Sequence, residues 1–177
     1  LRRAWPSLRM YVNATCATTF PANRSATPPT VTVAAVGDLA QCSGTPPASP
    51  ASSAVAAAAA ALGPGVPLLL LGDLAYYSGT AAEFAQCYDP IWGGALKAAS
   101  YPVPGNHEYV TANAAPYYAY FGARAGDPAK GYYSMNLGSW HIALNSNLPM
   151  NLGSSQQTWL RNDLLANASA PCKLAYW

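Results

Sequence analysis

The chain has little charge. Lysine, arginine, aspartate and glutamate make up 9% of its 177 residues, and the net charge is +2. That leaves no electrostatic footprint for a nucleic acid. Arg2, Arg3 and Arg9 are three of the nine basic residues. The rest of the chain is close to neutral, and this basic start reads as a solvated tail. Long apolar runs are missing too. The longest, residues 54–62 and 66–71, fall far short of the roughly 18 residues that span a bilayer. No apolar segment follows the N-terminal arginines as it does in a secretory leader. The first residue is leucine, not methionine, so the expectation is a chain processed or cut at its front. Histidine is scarce, with His107 and His141 alone. C-x-x-C spacing is absent, which argues against a zinc knuckle.

What is present is more specific. The four cysteines (Cys16, Cys42, Cys87, Cys172) are even in number and widely spaced, a pattern that fits two disulfides in an oxidising compartment. Sequons at Asn13, Asn23 and Asn167 agree with a secreted protein. Four reduced, buried thiols remain the alternative. Only seven residues are acidic, and Asp38, Asp73 and Glu108 all lie within three short motifs. Those motifs are Gly37-Asp38, Gly72-Asp73-Leu74-Ala75-Tyr76 and Gly105-Asn106-His107-Glu108. Each follows a run that reads as a buried strand: residues 31–36, 66–71 and 101–103.

Residues 1–29 are rich in threonine, proline and asparagine and lack periodicity, so they read as a linker or tail, with Tyr11 and Val12 a remnant or a pre-strand. Residues 52–62 predict a helix capped by Ser49 or Ser52 and stopped at Gly63. Thr80-Ala81-Ala82-Glu83 is a capping box, opening a helix that should end at Pro90, with a second helical piece over 91–99. Residues 112–121 predict another helix. Runs 131–137 and 140–145, joined by Gly138-Ser139, predict a β-hairpin. Ser154 and Gln157 have capping-box spacing for a helix to about Ala168, and 173–177 begins a further strand. Strand and helix alternate through the first half, which predicts an α/β sandwich with a largely parallel sheet.

Each gap between motifs holds one helix-bearing crossover, so the three motifs converge at one sheet edge. Carboxylate and amide oxygens there suit hard cations, and a bridging carboxylate flanked by terminal ligands suits a two-metal centre.

These motifs, in this order and spacing, resemble the calcineurin-type metallophosphoesterase superfamily over roughly residues 30–177. Most of that superfamily has histidine two residues after the first aspartate; here that position is Ala40. The purple acid phosphatase branch lacks that histidine too and supplies a tyrosine three residues after the second aspartate, where Tyr76 stands. The resemblance implies a metallophosphoesterase-type α/β sandwich, incomplete at the C-terminus, that hydrolyses phosphate monoesters. It implies two metal ions, Fe plus Zn, Mn or Fe. Asp38 and Tyr76 would hold the first metal, Asp73 would bridge, and Asn106 would hold the second. His107 would contact the phosphate and help the leaving oxygen depart, while a metal-held hydroxide attacks in line. Three further histidines belong to that pattern. The first is expected just after a strand like 173–177, where the sequence ends. The implied outcome is that these 177 residues bind metal poorly and turn over little, and that a full-length parent is the enzyme.

Simpler readings stand beside these. Asp38 and Asp73 alone could be turn formers, and Tyr76 could be packing beside Tyr77. Glu108 reads equally as support for the site or as surface. His141, in an apolar strand beside Trp140, reads as a satisfied core histidine, and Tyr132 and Tyr133 as strand packing. Cys42 and Cys87 both follow motif-bearing strands. If those strands are neighbours a disulfide joins the loops, leaving Cys16 with Cys172. The partner that the resemblance implies is a phosphorylated small molecule or phosphoester. Phosphodiesterase specificity and a non-catalytic extracellular module are the rival functions.

Overall fold

The computed structural model describes residues 10–14, 31–42, 50–144, 146 and 148–177. It is mixed α/β. The central sheet has four strands, β1 (Met10–Ala14), β2 (Val31–Val36), β4 (Leu68–Leu71) and β6 (Ser100–Val103), side by side in that order. β2, β4 and β6 are parallel and β1 is antiparallel to β2. A three-stranded sheet contains β7 (Tyr133–Leu137), β8 (Trp140–Leu144) and β9 (Cys172–Tyr176). β7 and β8 form the expected hairpin, with Leu137 opposite Trp140, and β9 is parallel to β8. Two short strands, β3 (Ala40–Gln41) and β5 (Ala75–Tyr76), pair in parallel.

Alternation along the strands divides the interior in two. Ala34, Val36, Leu68 and Leu70 face a core built against the helices. Val33, Leu69 and Val103, one residue out of phase, meet Ile142 and Tyr176 of the second sheet. The sheets are tied by two phenols: Tyr176 Oη donates to Tyr101 O at 2.7 Å and Tyr133 Oη to Pro102 O at 2.9 Å. Pro102 is tolerated because β6 is an edge strand, where a missing N–H breaks no ladder bond.

Helix α1 (Pro50–Ala60) is mostly alanine, the best helix former, and Gly63 follows it at φ 103°. Of the two serines expected as caps, Ser49 lies outside the described residues, and Ser52 is buried inside the helix, accepting a hydrogen bond from Trp92 Nε1 at 2.8 Å. Thr80 and Glu83 form the capping box of α2 (Ala81–Glu83). The helix does not end at Pro90. A π-helical turn, Phe84–Tyr88, leads into α3 (Asp89–Trp92), with Pro90 in its first turn, where a missing N–H costs nothing. Gly93 is extended, so the next helix, α4, begins at Gly94 (Gly94–Ala99). The extra residue of the π turn sets Phe84, Tyr88 and Trp92 into the core, beside Tyr117 and Phe121 of α5 (Ala115–Phe121). The helix expected from residue 112 starts only at Ala115, because Asn113 and Ala114 take left-handed φ of 56° and 49°. Helix α6 (Ser155–Ala166) is capped by Ser154, which accepts from Gln157 N at 3.3 Å. Residues 10–14, read as part of a linker or tail, are instead a strand of the sheet. Among the described residues, no helix is long and apolar enough to cross a membrane.

Candidate functional site

Because β2, β4 and β6 are parallel neighbours, their C-terminal ends lie side by side, and each delivers one motif. Two glycines let the loops close on one another. A Cβ on Gly72 would stand 2.8 Å from Gly105 Cα, and one on Gly105 would stand 2.2 Å from Asp73 Oδ1. The second and third motifs therefore pack backbone against backbone, which only glycine permits. Beside them, Asp38 N donates to Gly72 O at 3.3 Å, Leu39 N to Asp73 O at 3.1 Å and Ala40 N to Leu74 O at 3.0 Å. This ladder continues into β3 and β5 and brings Tyr76 alongside Asp38. Asp38 and Asp73 adopt φ of 56° and 54°. Left-handed backbone costs a non-glycine residue about 1–3 kcal/mol and clusters at functional sites.

The side chains converge. Tyr76 Oη donates to Asp38 Oδ1 and lies 3.3 Å from Asp73 Oδ2. Asp73 Oδ1 accepts from His107 N at 2.9 Å. The His107 ring packs on Tyr76, centroids 4.4 Å apart, and its Nδ1 is 2.7 Å from Tyr77 O. A carbonyl only accepts, so Nδ1 carries the hydrogen and Nε2 is left as the ring's acceptor. Asn106 is exposed in the turn between Gly105 and His107, both of which touch Asp73. No family model and no curated protein matches the chain. What the site can do therefore follows from its geometry.

Tyr76 has one proton and two carboxylates compete for it. Among the described residues neither Asp38 nor Asp73 has an ion-pair partner. Burial, the hydrogen bond to Asp38 and the charges of Asp73 and Asp38 all push the Tyr76 phenol far above its usual range. A cation placed among the three oxygens would reverse that push and favour the phenolate. Among the described residues no group of three or more His, Cys, Asp and Glu side chains could hold a metal ion. The donors that meet here are instead two carboxylates and a phenol, oxygen donors that suit a hard cation, with Asn106 exposed on the adjoining turn.

Glu108 is the residue whose role the sequence left open. It is fully buried, at 0% exposure. Its Oε2 accepts from Asp73 N at 2.9 Å and Gly105 N at 2.8 Å; its Oε1 accepts from Leu74 N at 2.8 Å and Ala75 N at 3.3 Å. One carboxylate thus clamps two motif loops. Burial pushes its pKa above the usual carboxylate range against the pull of these N–H donors, and the Asp73 charge adds to the push. A glutamate next to the only motif histidine was the available signal. What it bonds could not be read without the loops in contact.

Cys42, after β3, is disulfide-bonded to Cys87 in the π turn, with Cα atoms 5.5 Å apart. Cys16 lies outside the described residues, and its pairing with Cys172 with it. His141 is a satisfied core histidine: its Nε2 is 2.6 Å from Asp163 Oδ2 and its Nδ1 2.9 Å from Asn136 Oδ1. Tyr133 packs in β7, and the Tyr132 ring lies 4.7 Å from that of Trp159.

Proposed function

We propose that this chain carries the N-terminal part of a secreted metallophosphoesterase domain of the purple acid phosphatase type, hydrolysing phosphate monoesters. The observation that carries the reading is the meeting of Asp38, Asp73 and Tyr76, with His107 beside them, at the ends of three parallel strands. Asp38 and Tyr76 would hold one cation, Asn106 a second, and Asp73 both. The metals that the resemblance implies are iron with zinc, manganese or a second iron. When bound, such cations lower the pKa of water and offset charge on phosphoryl oxygens.

The chain's own groups do the rest. Asp73 is held from both ends, by His107 N on Oδ1 and by Tyr76 Oη near Oδ2, so its two oxygens face different neighbours. The Tyr77 carbonyl orients the His107 ring and leaves Nε2 to meet a phosphate oxygen or the departing oxygen. The resemblance requires three more histidines, and this sequence has only His107 and the buried His141. We therefore propose that residues 1–177 alone hold metal weakly and turn over little. The histidine count also favours a second reading, a non-catalytic module that keeps the fold.

The test is hydrolysis of an aryl phosphate by the full-length protein that carries this sequence. His107→Ala should lower kcat about 10²–10⁴-fold, the usual worth of a positioned proton donor, with metal content unchanged. Activity within twofold of the parent would sink the role of His107. No hydrolysis by the parent at any metal composition would favour the non-catalytic module.

A further inference from the structure

We propose that Tyr77 is a fixed aromatic platform beside the site, and that the phosphoester taken there carries a planar aromatic ring in its leaving group. The inference rests on the phosphoesterase reading and adds a substrate class to it. Tyr77 is 59% exposed, yet each of its polar groups is held. Its N–H donates to Glu83 Oε1, its carbonyl is 2.7 Å from His107 Nδ1, and its hydroxyl accepts from Gln41 Nε2. A tyrosine that was merely solvated would have no reason to be tied at three points to three different elements. Here the motif loop and the α2 capping box hold the backbone and β3 holds the hydroxyl, while more than half of the residue stays exposed.

The ring also neighbours the oxygen cluster. Its centroid is 6.1 Å from that of Tyr76, at 78°, and the Tyr76 hydroxyl meets both carboxylates. Tyr77 is therefore one ring away from the oxygen cluster, on the same loop that orients His107. Aromatic rings pair in offset or edge-to-face arrangements at centroid separations of about 4.5–7 Å. The aromatic leaving group of a phosphoester held at the carboxylates would pair with Tyr77 in this way. A small aliphatic leaving group offers no ring to pair with it. Because the ring is fixed before binding, little rotamer freedom is lost when it is used.

The probes are phenylphosphonate and methylphosphonate, which share the phosphoryl head and are not hydrolysed. Their affinities are measured by calorimetry on the metal-replete full-length protein and on Tyr77→Phe and Tyr77→Ala. The parent and Tyr77→Phe should prefer phenylphosphonate by roughly 2- to 12-fold, the range of an aromatic pair. Tyr77→Ala should bring that ratio close to one. A ratio that survives in Tyr77→Ala overturns the platform and leaves the phosphoesterase reading intact. Binding of neither phosphonate by the parent overturns both.

Discussion

Glutamine in place of Glu108 probes the clamp that joins two of the three motifs. Glu108→Gln keeps the volume and one acceptor oxygen and turns the other into an N–H donor. Whichever way the amide sits, two buried backbone N–H groups lose their acceptor: Asp73 and Gly105 in one orientation, Leu74 and Ala75 in the other. Each buried donor left unpaired costs about 1–3 kcal/mol, so the loss should be about 4 kcal/mol. Glu108→Ala strands all four donors and opens a cavity; against a typical total stability of about 5–15 kcal/mol, it should fail to accumulate as folded protein. Urea denaturation followed by tryptophan fluorescence measures the effect. The midpoint should fall with the slope unchanged, as expected when stability rather than exposed area changes. If Glu108→Gln came within about 1 kcal/mol of the parent, the carboxylate would not be holding the loops, and the positions of Asp73 and His107 would need another cause.

Other perturbations reach the same region. The Cys42–Cys87 bridge spans a sequence separation of 45, so the chain-entropy relation gives about 4 kcal/mol lost in the Cys42→Ala/Cys87→Ala pair; denaturation with and without reductant checks it, and a change below about 1 kcal/mol would show that the bridge adds no constraint. For Glu83, burial pushes the carboxyl up, but the N–H groups of Thr80, Ser78 and Tyr77 and the Thr80 hydroxyl outweigh it and hold the pKa below the usual range. A lowered folded pKa means that the contribution is present above the unfolded value and lost as pH falls through the folded one. Glu83→Ala should therefore cost about 1 kcal/mol at neutral pH, with the gap to the parent closing on acidification in thermal unfolding. A gap that widens in acid would reverse that assignment.

Much of this was legible because it is local. The strands ending in Gly37, Gly72 and Gly105 announce themselves as short apolar runs before a glycine. The Thr80–Glu83 box and the Gly138-Ser139 hairpin depend on neighbours a few residues apart. Several departures arise from contacts distant in sequence. The helix passes Pro90 because the aromatic side chains of Phe84, Tyr88 and Trp92 pack against α5, and one inserted residue sets that phase. β1 exists by pairing with β2, and its own composition carries no periodicity to announce it. Within the candidate site, Asp38, Asp73, Tyr76 and His107 were visible as residue types at strand ends. Glu108 was not, since its role depends on four N–H groups, three of them more than thirty residues earlier.

The account stands or falls on whether these oxygens hold a cation. The direct measurement is the metal content of the full-length protein after dialysis against Fe(III) and Zn(II), beside Asp38→Asn, Asp73→Asn and Tyr76→Phe. The expected result is two metal ions per chain in the parent, loss of both in Asp73→Asn, and loss of the ferric ion with its tyrosinate absorption in Tyr76→Phe. Equal metal content in the parent and in Asp73→Asn would contradict it, and the strand-end motifs would then be turns rather than a site.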